Sequence, residues 1–376
     1  MNENYAVGID LGSQNIKIIL VKFSENTTLP KIISKASYPS SGISFGYITN
    51  KKELKKSLNY AINKFQKDNN VNIKEVFLPL DGYGLESESI PIIQTMATGL
   101  IQKFDLEKIS EKSELILQKK NPNQIIDKNI INYIIDKYEY LDDPQGLNAK
   151  KLEANTFFLT CPPNNIQNIE DVTDQLNLIV EAFTAGPITS SQFSLQKIDK
   201  KIGCILIDYG AEKTSLLLIE KNKPRNFFVI KYGSKNLTEK ISLFEKISFK
   251  EAEKIKISKI KTQKINKIIK DELTLLAKEI NKILKKWNKD AILPGGAIIS
   301  GGGSNINFIE EIFKKELKLP IKKPFNHILD HDTDYNIVYS NILIGQKDAI
   351  KIKFKTPEIL EKSWGTIKKI FSLFKI

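Results

Sequence analysis

Apolar and polar positions along the chain fall into a few recurring patterns. The first is a pair of apolar runs on either side of a short polar turn. Residues 5–21, YAVGIDLGSQNIKIILV, carry Ala6, Val7 and Ile9 before the turn and Ile16, Ile18, Ile19, Leu20 and Val21 after it. Near-continuous apolar strands belong in a sheet covered on both faces, so the stretch reads as a buried hairpin. At the turn Asp10-Leu11-Gly12-Ser13, Gly12 tolerates positive φ and leaves room for a ligand. The plan returns in residues 202–220, IGCILIDYGAEKTSLLLIE, around Asp208-Tyr209-Gly210. Two such hairpins half a chain apart predict a duplicated architecture of two similar domains with a ligand between their loops.

A third pattern is residues 291–305, AILPGGAIISGGGSN, followed by an amphipathic run at 308–313. It reads as strand, glycine-rich loop, helix. Gly301, Gly302 and Gly303 let backbone approach a flat or anionic ligand, and the helix start offers free N–H groups. Elsewhere the pattern predicts strands at 32–38 and 76–80 and helices at 51–65 and 166–183, the latter on Ile169, Val172, Leu176, Ile179 and Val180. Residues 155–160 read as a return to the main sheet. Between 84 and 154, short strands at 88–93 and 133–138 alternate with a Lys/Glu helix at 106–119. That stretch is expected to be an inserted α+β subdomain, because about 70 structureless residues inside a compact domain are improbable. Residues 233–290 should be almost wholly helical, with Ile265, Ile269, Leu273, Leu276, Ile280 and Leu284 beneath lysines. A strand at 297–300 and helices at 308–317 and 338–350 follow.

Length and composition bound the reading. At 376 residues and 41% hydrophobic content the chain should hold two domains and be mostly folded. Cys161 and Cys204 lie in apolar strands and read as buried thiols. The chain enters a strand directly, without signal-peptide character, and no apolar run approaches the ~18 residues of a membrane span. A cytoplasmic location is expected. The net charge of +13, from 57 basic and 44 acidic residues, raises nucleic acid as a partner. However, Arg225 is the only arginine, and lysine lacks the flat fork that reads phosphates and bases. No nucleic-acid role is expected. The lysines are solvated helix faces, with some use towards an anionic membrane.

The ordered set of hairpin, hairpin and strand–glycine loop–helix resembles the actin/Hsp70/sugar-kinase superfamily of nucleotide-binding proteins. Within it the resemblance is to the bacterial cell-division FtsA family, over nearly the whole chain. It is carried further by Tyr47-Ile48-Thr49-Asn50, by Glu75-Val76-Phe77-Leu78-Pro79-Leu80-Asp81-Gly82, and by Asp143-Pro144-Gln145-Gly146-Leu147. Phe183-Thr184-Ala185-Gly186-Pro187 is similar to the family's inter-domain connector, and Ala252-Glu253-Lys254-Ile255-Lys256 to its AExIK segment near the nucleotide base. The resemblance implies an actin-like, ribonuclease H-like α/β fold. Its first domain would be 1–83 plus 155–196, the inserted subdomain 84–154, and the second domain 197–335 with a distal helical part at 233–290. A returning helix would occupy 336–350, and a linker with a membrane-targeting helix 351–376.

The same resemblance implies ATP and Mg²⁺ as ligands. Asp10 and Asp208 would be the Mg²⁺- and phosphate-side carboxylates. Gly12, Ser13, Gln14 and Gly210 would supply loop backbone to the phosphates. Gly301, Gly302, Gly303 and Ser304 would run along ribose and adenine, with Glu253 and Lys256 lining the base. One departure stands out: family members carry a DxGGGTxD-like second loop, whereas this chain has Ala211, Glu212 and finally Ser215 in it. Glu212 would repel a triphosphate, and Lys213 is the expected counter-charge. No Ser-His or Cys-His arrangement is present, and His327 and His331 fall outside the motifs. Nucleotide binding with at most slow hydrolysis follows.

The last residues, SWGTIKKIFSLFKI, place Trp364, Ile367, Ile370, Phe371 and Phe374 on one helical stripe, with Lys368 and Lys369 beside it. Half-burying five such groups is worth roughly 4–8 kcal/mol gross. Each nearby lysine adds about 1 kcal/mol on an anionic leaflet. This is the pattern of an interfacial foot. By resemblance, the expected function is an ATP-binding, self-associating division protein. It would tether the C-terminal tail of FtsZ to the cytoplasmic membrane at the division site. The alternative is a PilM-like cytoplasmic platform of pilus assembly, whose second loop can read GAEKTS and which captures a peptide of an inner-membrane partner. A small-molecule kinase is the third class.

Overall fold

The computed structural model describes residues 5–24, 29–96, 99–140, 143–258, 262–325 and 335–353, with side chains to residue 345. The opening elements are β1 (Tyr5–Leu11), β2 (Asn15–Lys22), β3 (Lys31–Pro39), the short pair β4 (Ile43–Ser44) and β5 (Tyr47–Ile48), α1 (Lys51–Asn69) and β6 (Glu75–Leu80). Next come β7 (Glu86–Thr95), α2 (Lys103–Lys120), β8 (Gln124–Ile135), β9 (Tyr138–Tyr140) and β10 (Lys151–Cys161). Then α3 (Pro163–Asp174), β11 (Ile179–Ala185), α4 (Gly186–Ser194) and α5 (Lys197–Ile202) lead to β12 (Cys204–Tyr209), β13 (Thr214–Glu220) and β14 (Lys223–Ile230). The rest is α6 (Ser234–Glu245), α7 (Phe249–Ile257), α8 (Gln263–Lys286), β15 (Gly296–Ser300), α9 (Ile309–Leu317), β16 (Ile321–Lys322) and α10 (Asn336–Lys353).

The chain divides into two compact units. Met1–Leu80, Ile166–Ser190 and Tyr335–Ile376 form one; Asp81–Asn165 and Ser191–Asp334 form the other.

In the first unit the sheet order is β11-β6-β1-β2-β3. The meander β1–β2–β3 is antiparallel, and β6 and β11 run parallel to β1. Val7, Ile9, Ile16, Ile18, Ile19 and Val21 are almost wholly buried, as continuous apolar strands require. Asn50 caps α1 by accepting the Glu53 N–H at 3.1 Å, and Leu54, Leu58, Ala61, Ile62 and Phe65 form its buried stripe. Gly8 is where α10 meets β1: a Cβ there would stand 2.8 Å from Val338 Cγ2 and 2.9 Å from Ile342 Cγ1.

The second unit holds two sheets. One has the order β14-β13-β12-β15-β16, again an antiparallel meander extended by two parallel strands. Strand for strand this repeats the first unit's sheet, which is the duplication that the two hairpins predict. Helices α6–α9 share a core with it, and Ile269, Leu273, Ile280, Leu284 and Phe313 are among its most buried members. The other sheet is antiparallel, β7-β10-β8-β9, and α2 covers it through Ile109 and Leu117.

Two expectations are corrected. Residues 155–160 lie in β10, which pairs with β7 and β8 in the four-stranded sheet and does not return to a main one. Residues 166–183 are not one helix: α3 ends at Asp174, Asn177 takes a left-handed φ of 54°, and Ile179–Ala185 is strand β11 beside β6. Asparagine tolerates that conformation, and the β-branched and aromatic residues behind it, Ile179, Val180, Phe183 and Thr184, favour a strand. Trp364, Ile367, Lys368, Lys369, Ile370, Phe371 and Phe374, together with both histidines, lie outside the described residues.

Candidate functional site

The two hairpin turns close in the same way. Gly12 N–H donates to the Asn15 carbonyl at 3.1 Å, and Gly210 N–H to the Lys213 carbonyl at 2.9 Å. A Cβ at Gly12 would stand 2.7 Å from that Asn15 oxygen, so the tight turn itself demands the glycine. In register, Asp10 lies opposite Lys17 and Asp208 opposite Ser215. Asp10, Gly12, Ser13 and Gln14 sit half-exposed at the end of the first unit's hairpin.

In the second unit the glycine loop rides on the β12 hairpin. Asp208 is flanked in register by Ser215 on β13 and Ser300 on β15, and Ser300 Oγ donates to Asp208 Oδ1 at 3.3 Å. Gly301 has a φ of 81°, and a Cβ on it would come within 2.5 Å of Asp208 Oδ1. At Gly303 a Cβ would run into the ring of Tyr209. Tyr209 is the loop's floor. Its burial, reinforced by the Glu272 carboxylate, pushes its phenol well above the ordinary range. Ser304 N–H closes the turn by donating to the Gly301 carbonyl at 3.0 Å.

The departing loop is braced by α6. Ser234 N–H donates to the Gly210 carbonyl at 2.9 Å and Lys235 N–H to that of Ala211 at 2.7 Å. The approach is possible because Gly233 has no side chain; a Cβ there would collide with Ala211. Glu212 Oε1 lies 2.7 Å from Lys235 Nζ. The ammonium of Lys213 pairs with Asp81 and donates to Ser215 Oγ at 3.3 Å. Thus Glu212 is compensated by Lys235, while Lys213 is engaged by Asp81.

The α7 segment joins the same helix start. Lys256 is buried and donates to the Ser234 carbonyl at 3.2 Å, while its ammonium lies 2.8 Å from Glu253 Oε2. Thr238 Oγ1 donates to that carboxylate at 2.6 Å. Burial pulls the Lys256 ammonium below its ordinary range, with Glu253 opposing. The structure therefore brings Asp208, Gly210, Lys213, Gly301 and Gly303 together at one hairpin, and links Glu253 and Lys256 to them through Ser234. Sequence reasoning missed Gly233, Lys235 and Asp81. The Gly233-Ser234 pair just before an amphipathic run was a legible signal for the first; Asp81 had none.

Among the described residues, no group of three or more His, Cys, Asp or Glu side chains is placed to hold a metal. Among them also, no helix is long and apolar enough to cross a membrane.

Comparison with known proteins gives three kinds of likeness. Residues 205–336 match the family model for cell division protein FtsA. The cell division protein FtsA of Buchnera aphidicola subsp. Baizongia pistaciae is 24% identical over 359 residues, spanning 86% of this chain and 84% of the relative. Among solved structures, the PilM-PilN type IV pilus biogenesis complex aligns with a TM-score of 0.68 at 15% identity, covering 90% of this chain and 98% of that one. MreB5 of Spiroplasma citri bound to ADP aligns at 0.56 and 11% identity, covering 93% and 99%. The fold is actin-like, and the resemblance to FtsA holds over most of the chain.

Proposed function

We propose, from this FtsA likeness, that the chain is an actin-like nucleotide-binding protein of cell division. One observation carries the reading. The span matched by the family model, 205–336, contains the Asp208 hairpin, the α6–α7 network and the glycine loop that packs on it. In this reading Asp208 would serve as a Mg²⁺-side carboxylate and Gly210 would present backbone to phosphate in the second unit, and Asp10 with Gly12, Ser13 and Gln14 would do the same in the first. Gly301, Gly302, Gly303 and Ser304 lie along the nucleoside, with Glu253 and Lys256 on its base side. The cluster fits an anionic ligand because Glu212 is neutralised by Lys235. Mg²⁺ would supply charge neutralisation of the phosphates. Turnover is slow at most, and the nucleotide acts on conformation and self-association.

The finer proposal is a tether. The distal helices α6–α8 take the C-terminal tail of FtsZ, and Trp364, Ile367, Lys368, Lys369, Ile370, Phe371 and Phe374 rest on the cytoplasmic face of the membrane. A second reading, a PilM-like platform for an inner-membrane partner's peptide, is favoured by the Ala211-Glu212-Lys213 loop and the likeness to the PilM-PilN complex. Sedimentation with anionic vesicles in MgATP, comparing the full chain with one ending after Thr356, separates them. The tether predicts that only the full chain pellets and that it then retains an FtsZ-tail peptide. Equal behaviour of both chains overturns the tether and leaves the platform.

A further inference from the structure

The second hairpin turn carries two charges, Glu212 and Lys213, where the first carries Gln14 and Asn15. The fold treats them differently. Glu212 meets Lys235 of the adjoining helix. Lys213 is instead folded into a nearly enclosed place, where its side chain is 14% exposed and that of Asp81 10%. Its ammonium takes Asp81 Oδ2, and it donates to Ser215 Oγ at 3.3 Å. Ser215 Oγ donates to the other carboxylate oxygen, Oδ1, at 3.2 Å. Both oxygens of Asp81 are thus committed to the turn, which closes a ring of three side chains. An enclosed pair of this kind leaves an uncompensated charge when either partner is removed.

Asp81 does not belong to the hairpin. It is the first residue after β6, at the head of the segment leading into β7. That segment and the start of β7 are held to β14 and the residue after it. The Lys231 ammonium sits 3.6 Å over the Tyr83 ring, and Ser87 Oγ accepts the Phe227 N–H at 2.9 Å and donates to its carbonyl at 3.2 Å. The position of Asp81 is therefore fixed by structure outside the turn that it neutralises.

We propose that Asp81 is a positioning residue of the nucleotide-phosphate site: by holding Lys213 it sets how much positive charge the second turn offers a polyphosphate. The proposal rests on the nucleotide-binding reading above. With Asp81 in place, Glu212 and Lys213 each have a partner and the turn is electrically balanced. Removing the Asp81 charge leaves one surplus cation beside the phosphates, and a triphosphate feels it more than a diphosphate does.

The test is calorimetric titration of the full chain with MgATP and MgADP. Asp81→Asn is expected to tighten MgATP roughly three- to tenfold, MgADP less, and to steepen the salt dependence. Asp81→Glu should return to the wild-type affinity. Asp81→Asn leaves Lys213 enclosed without its anion and so risks misfolding. The double variant Lys213→Met/Asp81→Asn leaves neither charge enclosed alone and keeps the turn balanced, so it should lose the Asp81→Asn gain and bind MgATP with the wild-type affinity and salt dependence. A purely structural role for Asp81 would make Asp81→Asn weaken binding or leave it unchanged. Either result, with wild-type binding intact, overturns the proposal and leaves the nucleotide reading standing. If neither wild type nor any variant binds either nucleotide, both are overturned.

Discussion

Lys235 Nζ lies 2.7 Å from Glu212 Oε1, so the acid at the tip of the second hairpin is neutralised by the helix start that also donates to the turn's backbone carbonyls. The side chains are 24% and 16% exposed, partly shielded from water and salt. Lys235→Ala and Glu212→Ala should therefore not be additive. A double-mutant cycle in urea is expected to return a coupling of roughly 0.5–2 kcal/mol. Additivity within experimental error would remove the pair from the account.

Gly303 is expected to be intolerant of the smallest enlargement. Its missing Cβ is the space that the Tyr209 ring fills, and Tyr209 is fully buried. Gly303→Ala should cost about 1–3 kcal/mol by overpacking. Thermal unfolding measures the loss, and Tyr209→Leu in the same chain should recover part of it. A Gly303→Ala protein as stable as wild type would mean that the loop can lift off its floor freely.

The contact of α10 with β1 makes a parallel prediction in the first unit. Gly8→Val would press on Val338 and Ile342, whose γ-carbons already stand 2.8 and 2.9 Å from the site of an added Cβ. We expect a loss of about 1–3 kcal/mol and faster amide exchange along α10. Gly8→Ala should show the smaller effect. Unchanged exchange in α10 would count against this packing.

How much of this was legible depended on whether the signal was local. The hairpins were, because apolar runs and a turn glycine sit within a few residues of one another; both turns appear where Asp10 and Asp208 placed them. The 106–119 helix appears as Lys103–Lys120. Residues 166–183 misled because Ile169, Val172, Leu176, Ile179 and Val180 satisfy a helical period right across a strand boundary. Only the left-handed Asn177 breaks it. The strand at 155–160 was recognised but given the wrong neighbours, since pairing across a sheet is set by partners far away in sequence. The engagement of Lys213 by Asp81 was not legible for the same reason. A lysine in a loop carries no sign of which distant acid it will meet.

The two cysteines give a pH-dependent prediction. Burial raises the Cys161 thiol from 9.0 to about 11 and that of Cys204 to about 12. Both should stay protonated and unreactive towards aromatic disulfides at pH 8 until urea unfolds the chain. Because the folded values are raised, the stability they contribute is complete below pH 9 and is lost as pH rises towards 11–12. At pH 10.5 the loss should be about 2 kcal/mol per thiol, read as a lower urea midpoint. Rapid labelling of native protein at pH 8 would contradict the burial of these strands.

The grip of Ser87 on both backbone groups of Phe227 has a consequence for association. Phe227 lies inside β14, the outer strand of its sheet, and at the other rim β16 is only two residues long. A bare rim of unpaired amides is what recruits foreign strands and seeds fibrils. Here a serine hydroxyl holds both backbone groups of Phe227 on one rim, and the other rim strand is two residues long. A strand adding along β14 would first have to displace that hydroxyl, a cost that a bare rim does not impose.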